Sequence, residues 1–287
     1  MRVLATVLLI VVSALSVSVA RSRQDVPQPE TVRRPRIVTE LSELLTHSPL
    51  EKCGKSDAPA ASGAKPLRIG TWNIRAAQSA PVDMLAAEIR AMQVDVIALQ
   101  EVDVRTRRGG YVDEPTELAT ALGLQYVFAA SIKWDEGHYG LAVLSRWPLV
   151  SVERHRLSST PEAEPRIVLD VTVCAAGKPL HLLNTHADRR TASRALGFAD
   201  TRRLAMDHFG RGILVLGDLN EYPDAPGVRS LIDAGFVDLS ADSPFTVGTG
   251  RVDYLLADPP LARLASPPRV WETDKSDHHA VLVDLAW

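Results

Sequence analysis

From Leu67 to the end of the chain, short apolar runs alternate with stretches in which apolar residues return at helical spacing. The runs LRIGTW, DVIALQ, QYVFAA, LAVLS, RIVLDVTV, PLHLLNT, ILVLGD, VDYLLA and AVLVDL are too short for helices and rich in Val, Ile and Leu, which predicts β-strands. The helical period appears in APVDMLAAEIRAMQ, around PTELATAL, in SRALGFADTRRLAMDHF and in PGVRSLIDAG. RIVLDVTV and PLHLLNT flank CAAGK as a hairpin would, while other strands are separated by helices. That mixture predicts an α/β (α+β) fold: a four-layer sandwich of two packed mixed β-sheets flanked by helices. No internal repeat is present.

Ahead of Leu67 the texture is different. SRQDVPQPETVRRPR and KSDAPAASGAKP bury little apolar surface, so residues 21–65 are expected to be a Pro/Ser/Ala-rich linker, with IVTELSELLTHSPL forming one short helix within it. Residues 66–287 are then the folded domain. At the start, Arg2 precedes an apolar run from Val3 to Val12 that thins into small residues up to Ala20, the anatomy of a signal peptide over residues 1–20. Secretion or transfer to a periplasm is the expectation. The competing reading is an uncleaved anchor, because the apolar segment nears the lower limit of roughly 17 residues for spanning a bilayer.

Composition narrows the function classes. The chain has 287 residues, 46% hydrophobic and 23% charged, an ordinary balance for a globular protein. Its formal net charge is −3, and losing Arg2 with the leader makes it −4. A protein that depends on many phosphate-backbone contacts carries a basic surplus, so phosphate binding here must be local. The two cysteines, Cys53 and Cys174, are either one disulfide of an exported protein or two unrelated thiols. CGKS at Cys53 fails as a phosphate-binding loop because the required earlier Gly falls at Pro49. No G-x-S-x-G elbow and no paired Cys/His zinc signature occurs.

Polar residues collect at the strand ends: Asn73, Glu101, His186, Asp218 and Asn220 at exits, Asp253 at the entry to DYLLA, and Asp277 and His278 just before AVLVDL. Carboxylate, carboxamide and imidazole together suit phosphoester hydrolysis. Phosphate oxygens repel a hydroxide nucleophile, so a site must aim positive charge and hydrogen-bond donors where negative charge builds. Asp, Glu and Asn oxygens are natural ligands for a hard divalent cation, and a carboxylate can orient the attacking water.

The ordered set IGTWNIR, DVIALQEVD, HYGLAVLSRWPL, LLNTHAD, LVLGDLNEYPD, RVDYLLA and SDHHAVLVDL resembles the endonuclease/exonuclease/phosphatase superfamily, of DNase I-like fold, from about Leu67 to Leu285. The resemblance implies Glu101 as the principal ligand of Mg²⁺ (or Mn²⁺), with Asn73 and Asp277 near the same ion. It implies that Asp218 orients the nucleophilic water, Asn220 holds the phosphate, and His278 contacts the scissile phosphate with Asp253 bonded to it. His186 would be the second imidazole. His279 is expected to point away, since neighbouring side chains in a strand face opposite sides.

One departure stands out: many relatives carry Asn where this chain has Leu141, so either Tyr139 or His138 takes its place at the phosphate or the substrate's phosphate sits differently. Arg105, Arg107, Arg108, Arg189 and Arg190 either form a local basic rim around the metal centre or are scattered solvated charges. The resemblance implies a monomeric hydrolase of a phosphoester in nucleic acid, a lipid head group or a phosphorylated small molecule. Exported phosphodiesterase or nuclease ranks first, lipid or inositol phosphoester hydrolase second, and a non-enzymatic interaction domain last. No obligate protein partner is expected.

Overall fold

The computed structural model describes residues 38–40, 44–54 and 65–287; the expected leader lies outside them, as does most of the expected linker. In chain order the strands are β1 (Val38–Glu40), β2 (Leu45–His47), β3 (Leu67–Asn73), β4 (Val96–Val104), β5 (Gln125–Trp134), β6 (Gly137–Ser145) and β7 (Leu149–Arg156). They continue with β8 (Ile167–Ala175), β9 (Lys178–His186), β10 (Ile213–Asp218), β11 (Val237–Asp238), β12 (Asp253–Ala257), β13 (Arg269–Trp271) and β14 (Ala280–Leu285). The helices are α1 (Val82–Met92), α2 (Glu114–Leu122), α3 (Thr191–Asp207), α4 (Pro226–Asp233) and α5 (Pro259–Ala262). One sheet runs β1-β2-β5-β6-β4-β3-β14-β13 and the other β11-β12-β10-β9-β8-β7.

Two-residue periodicity creates the layers. In β4, Val96 and Ala98 face the core between the sheets, while Ile97 and Leu99 face a second core with Leu85 and Ile89 of α1 and Leu118 of α2. In β10, Leu214 and Leu216 join the inter-sheet core, while Ile213 and Val215 pack with Phe198 and Leu204 of α3 and Val228 and Leu231 of α4. The order is therefore helix, sheet, sheet, helix, as the pattern predicts. Among the described residues no helix is long and apolar enough to cross a membrane.

The stretch expected to be a short helix contributes β1 and β2 instead. Leu45 and His47 are buried on one side of β2, and the strand pairs antiparallel with β5, Leu45 opposite Ala129. An exposed sheet edge offers unpaired backbone donors and acceptors, and satisfying them outweighs local helix preference. β7, at the other sheet's edge, was also absent from the sequence expectation, although LVSVERHR alternates apolar and polar residues.

Beyond β2 the chain crosses toward the second sheet, with Glu51 N–H donating to Leu149 O at 2.7 Å, and Cys53 forms a disulfide with Cys174 near the end of β8. The bond closes a loop of 121 residues, which the chain-entropy model values at about 5 kcal/mol. The Cys53→Ala/Cys174→Ala variant is expected to unfold in guanidinium with a free energy lower by about that amount. Equal unfolding curves would show that the bridge does not stabilise the fold.

Candidate active site

Strand direction gathers the polar ends. β3 and β4 are parallel, as are β9 and β10, so their carboxyl ends reach one rim of the sandwich. β12 and β14 run antiparallel to their neighbours β10 and β3, which brings their amino ends to the same rim. Asn73, Glu101, His186, Asp218, Asp253 and His278 are thereby brought together from both sheets.

A buried polar clip fixes the two sheets beneath this rim. Gln100 Nε2 donates to Thr71 Oγ1 at 3.0 Å and Asn184 Oδ1 at 2.8 Å, and Asn184 Nδ2 donates to the carbonyls of Leu99 and Ala142. Immediately after Gln100, β4 bulges between Leu99 and Val102, and Glu101 takes φ 53°, the left-handed region. Such strain costs a non-glycine residue roughly 1–3 kcal/mol and is held only where surrounding structure over-determines it. Here it turns Glu101 into the cleft. Gly217 serves the same rim: a Cβ there would lie 1.9 Å from the Thr185 carbonyl oxygen, so only glycine lets β10 approach β9 before Asp218.

Asp218 is the hub. Its Oδ2 lies 3.1 Å from Asn73 Nδ2, 3.4 Å from His186 Nε2 and 3.7 Å from His278 Nε2, while Oδ1 accepts from Asn220 N–H at 2.9 Å. Burial, and then the negative charge of Asp253, push its carboxyl up to about 7 against the His278 charge and the two amide donors. His278 Nδ1 is 2.9 Å from Asp253 Oδ2. Burial disfavours its charge, but the bond to Asp253 and the charges of Asp253, Asp218 and Asp277 outweigh it and raise the imidazole to about 9.

The second imidazole is in the opposite state. Burial, and then the charge of Arg166, hold His186 well below its ordinary value. Arg166 Nη1 sits 3.0 Å from His186 Nδ1, and a guanidinium can only donate, so the neutral ring carries its proton on Nε2, toward Asp218. Two histidines thus face one carboxylate, one charged and one neutral.

Asp218, Asp253 and His278 each place one potential ligand atom within 4.8 Å of the others, a spacing a cation could bridge. His278 has Nδ1 on Asp253 and an imidazole raised to about 9, so a cation here would have to displace the proton on Nε2. The cation position that fits better is at Glu101. Its carboxylate accepts one hydrogen bond, from Asn73 at 3.0 Å, has no ion-pair partner among the described residues, and lines a cleft of about 390 Å³ with Asp277. Hard oxygen donors suit Mg²⁺. Asn73 Nδ2 faces Glu101 and Asp218, and its Oδ1 accepts from Arg75 N–H at 3.0 Å with a second lone pair remaining.

Other expected residues fall as follows. Asn220, at φ 48°, donates from Nδ2 to the Ala187 carbonyl at 2.9 Å. Asp277 is exposed at the cleft, 3.4 Å from Arg75 Nε. His279 turns away, its Nδ1 accepting from Thr273 N–H. Leu141 is buried in the inter-sheet core; Tyr139 lines the cleft, while His138 lines a separate groove with Arg105 and Asp113.

The expected basic rim is only partly there. Arg105, Arg107 and Arg108 pair with Asp113, Glu136 and Asp103, and Arg108 also stacks over Trp134 and Tyr139. These three sequence neighbours contribute little to a rim because their acidic partners meet them in the fold. Arg189 does line the cleft, with Arg75 and Arg166, which were not singled out. Arg75 lay within the quoted IGTWNIR, but nothing in the sequence marks Arg166 as the partner of His186.

Residues 70–278 match the model of the Endonuclease/Exonuclease/phosphatase family, and the chain belongs to that family. Its members are generally phosphoester hydrolases, nucleases and phosphatases among them, and commonly use divalent metals. Over 178 residues the chain is 28% identical to Uncharacterized protein YbhP of Escherichia coli (strain K12), covering 57% of this chain and 66%, just under two thirds, of that relative. Among solved structures, an endonuclease/exonuclease/phosphatase from Beutenbergia cavernae DSM 12333 superposes with TM-score 0.63 at 24% identity, over 77% of this chain and 71% of that one. A mannosyl-6-phosphatase of Bacteroides thetaiotaomicron VPI-5482 does so with TM-score 0.63 at 17% identity, over 77% of this chain and 100% of that one. At these identities the structures share the fold alone.

Proposed function

We propose that this protein is an exported, Mg²⁺-dependent phosphodiesterase (Mn²⁺ substituting) that cleaves its substrate by in-line attack of water, with nucleic acid the first substrate to test. The observation that carries the reading is Asp218 held between a charged His278 and a neutral His186, beside a Glu101 carboxylate that has no ion-pair partner among the described residues. A divalent cation at Glu101 and Asp277 would supply positive charge against the phosphoryl oxygens.

The chain's own residues do the rest. Asp218, fixed by the Asn73 and Asn220 donors, accepts the proton of the attacking water. His278 donates a charged hydrogen bond from Nε2 to the phosphoryl group, and Asp253 keeps Nδ1 protonated and the ring oriented. As the bond from phosphorus to the leaving oxygen breaks, His186, a neutral ring with its proton on Nε2, donates to that oxygen, and Asn220 holds a phosphate oxygen. Export is supported by the leader-like N-terminus and by the disulfide, a bond kept in oxidising compartments.

A phosphorylated small molecule is the second reading, favoured by the modest cleft and the likeness in fold to a mannosyl-6-phosphatase. The test is hydrolysis of plasmid DNA, bis-p-nitrophenyl phosphate, sphingomyelin and a phosphorylated inositol with Mg²⁺ present. Turnover of DNA supports a nuclease, and turnover of the phosphorylated inositol alone supports the second reading; silence with Mg²⁺ bound points to a narrower substrate outside the panel, and silence without Mg²⁺ binding leaves an interaction domain.

A further inference from the structure

The outer face of the second sheet carries a polar cluster beneath the end of α3, apart from the catalytic rim. Leu169 and Val171 of β8 and Leu180 and Leu182 of β9 point into the inter-sheet core, so Asp170 and His181 point outward. On β7, Glu153 stands directly opposite Asp170 in the antiparallel register, and His155 follows two residues on, on the same face. His208, just past the last residue of α3, closes over the group from the helix side. Its ring stacks on His181 with centroids 4.3 Å apart, and His181 Nδ1 lies 3.0 Å from Thr172 Oγ1, which orients the pair. Asp170 pairs with Leu183, three residues before His186, so the cluster lies about 10 Å along β9 from the active-site imidazole.

Two imidazoles approach one carboxylate oxygen. His208 Nε2 is 3.3 Å from Asp170 Oδ2, and His155 Nε2 is 3.7 Å from the same atom. Glu153 Oε2 lies 3.5 Å from that His155 nitrogen. The first spacing is a long hydrogen bond and the other two are not hydrogen bonds. His155 Nε2 is buried and has no hydrogen-bond partner among the described residues, although two carboxylates face it. Burial pushes the Asp170 carboxyl above its ordinary value, against the charges of His208 and His155. The spacings match a coordination shell better, since nitrogen and oxygen ligands of a tetrahedral zinc stand about 3.3–3.5 Å apart. The two imidazole nitrogens are more than 4.8 Å from each other, so a bound ion would draw these part-exposed rings together around Asp170 Oδ2 by side-chain rotation.

We propose that His155, Asp170 and His208, with Glu153 on the solvent side, bind a divalent transition-metal ion, zinc by preference, which fastens the end of α3 to β7 and β8. Imidazole nitrogens select zinc over Mg²⁺, which asks for oxygen ligands in octahedral geometry. The ion is therefore chemically distinct from the cation at Glu101. Its ligands come from three separate elements, so no zinc spacing is legible in the sequence.

The test is calorimetric titration of the purified, metal-free protein with Zn²⁺, beside His155→Ala, His208→Ala and the nearly isosteric Asp170→Asn, which keeps the test open if an alanine variant fails to fold. The catalytic cleft also offers carboxylates to Zn²⁺, so Glu101→Ala and Asp218→Asn serve as controls. One equivalent of Zn²⁺ is expected to bind in the wild type and in both controls, and to bind at least about 10-fold more weakly in each cluster variant. The same equivalent should raise the melting temperature of the wild type but not of Asp170→Asn, because an ion that binds only the folded chain stabilises it. Zn²⁺ binding that the three cluster variants leave unchanged, or an equivalent lost in Asp218→Asn or Glu101→Ala instead, overturns the proposal, as does an equivalent that Mg²⁺ fills as readily as Zn²⁺.

Discussion

His278→Ala is expected to lower turnover by roughly 10²–10³-fold, the usual cost of one donor aimed at developing negative charge. The adjacent His279→Ala is expected to be nearly silent. His278 is buried, bonded to Asp253 at 2.9 Å and aimed at Asp218, whereas the His279 ring accepts from Thr273 on the far side. The fold should survive the first change, because Trp72 Nε1 bonds the backbone carbonyl of residue 278 and not its side chain. Rates would be measured beside thermal melts. Comparable activity in the two variants would contradict the role given to His278.

Asp218→Asn is expected to cost roughly 10²–10⁴-fold in rate, the range for loss of a positioned general base. The pH profile gives an independent readout. Asp218 must be ionised to accept a proton, so the rate rises as pH passes its pKa of about 7; His278 must be charged to donate strongly, so the rate falls above about 9. A bound divalent cation would move the rising limb down. In Asp218→Asn the rising limb should vanish from the residual activity while the falling limb stays. A rising limb that persists in the variant would assign the base elsewhere.

Much of the fold was legible because period-2 burial writes itself into sequence. ILVLGD and AVLVDL coincide with β10 and β14, each alternating between two cores. β1 and β2 were not legible, since what makes them strands is the edge of β5, far along the chain. At the site, the strand-end carboxylates and imidazoles were identifiable from their types and order. Their states were not: His186 is neutral and His278 charged because of Arg166 and Asp253, partners brought across strands. The partners of Asn73, the Arg75 N–H and the two carboxylates, likewise meet it only in the fold. The Arg105 to Arg108 cluster misled for the converse reason, its charges being spent on Asp103, Asp113 and Glu136.

The central claim is hydrolysis that depends on a cation at Glu101. The most direct measurement is the turnover of bis-p-nitrophenyl phosphate by the wild-type protein and Glu101→Ala, each in EDTA and again after Mg²⁺ is restored. The wild type should be inactive in EDTA and recover with Mg²⁺, while Glu101→Ala, folded by its melting curve, should stay near the EDTA level in both conditions. Wild-type turnover that is indifferent to EDTA, or a Glu101→Ala variant that recovers with Mg²⁺ as the wild type does, would contradict it.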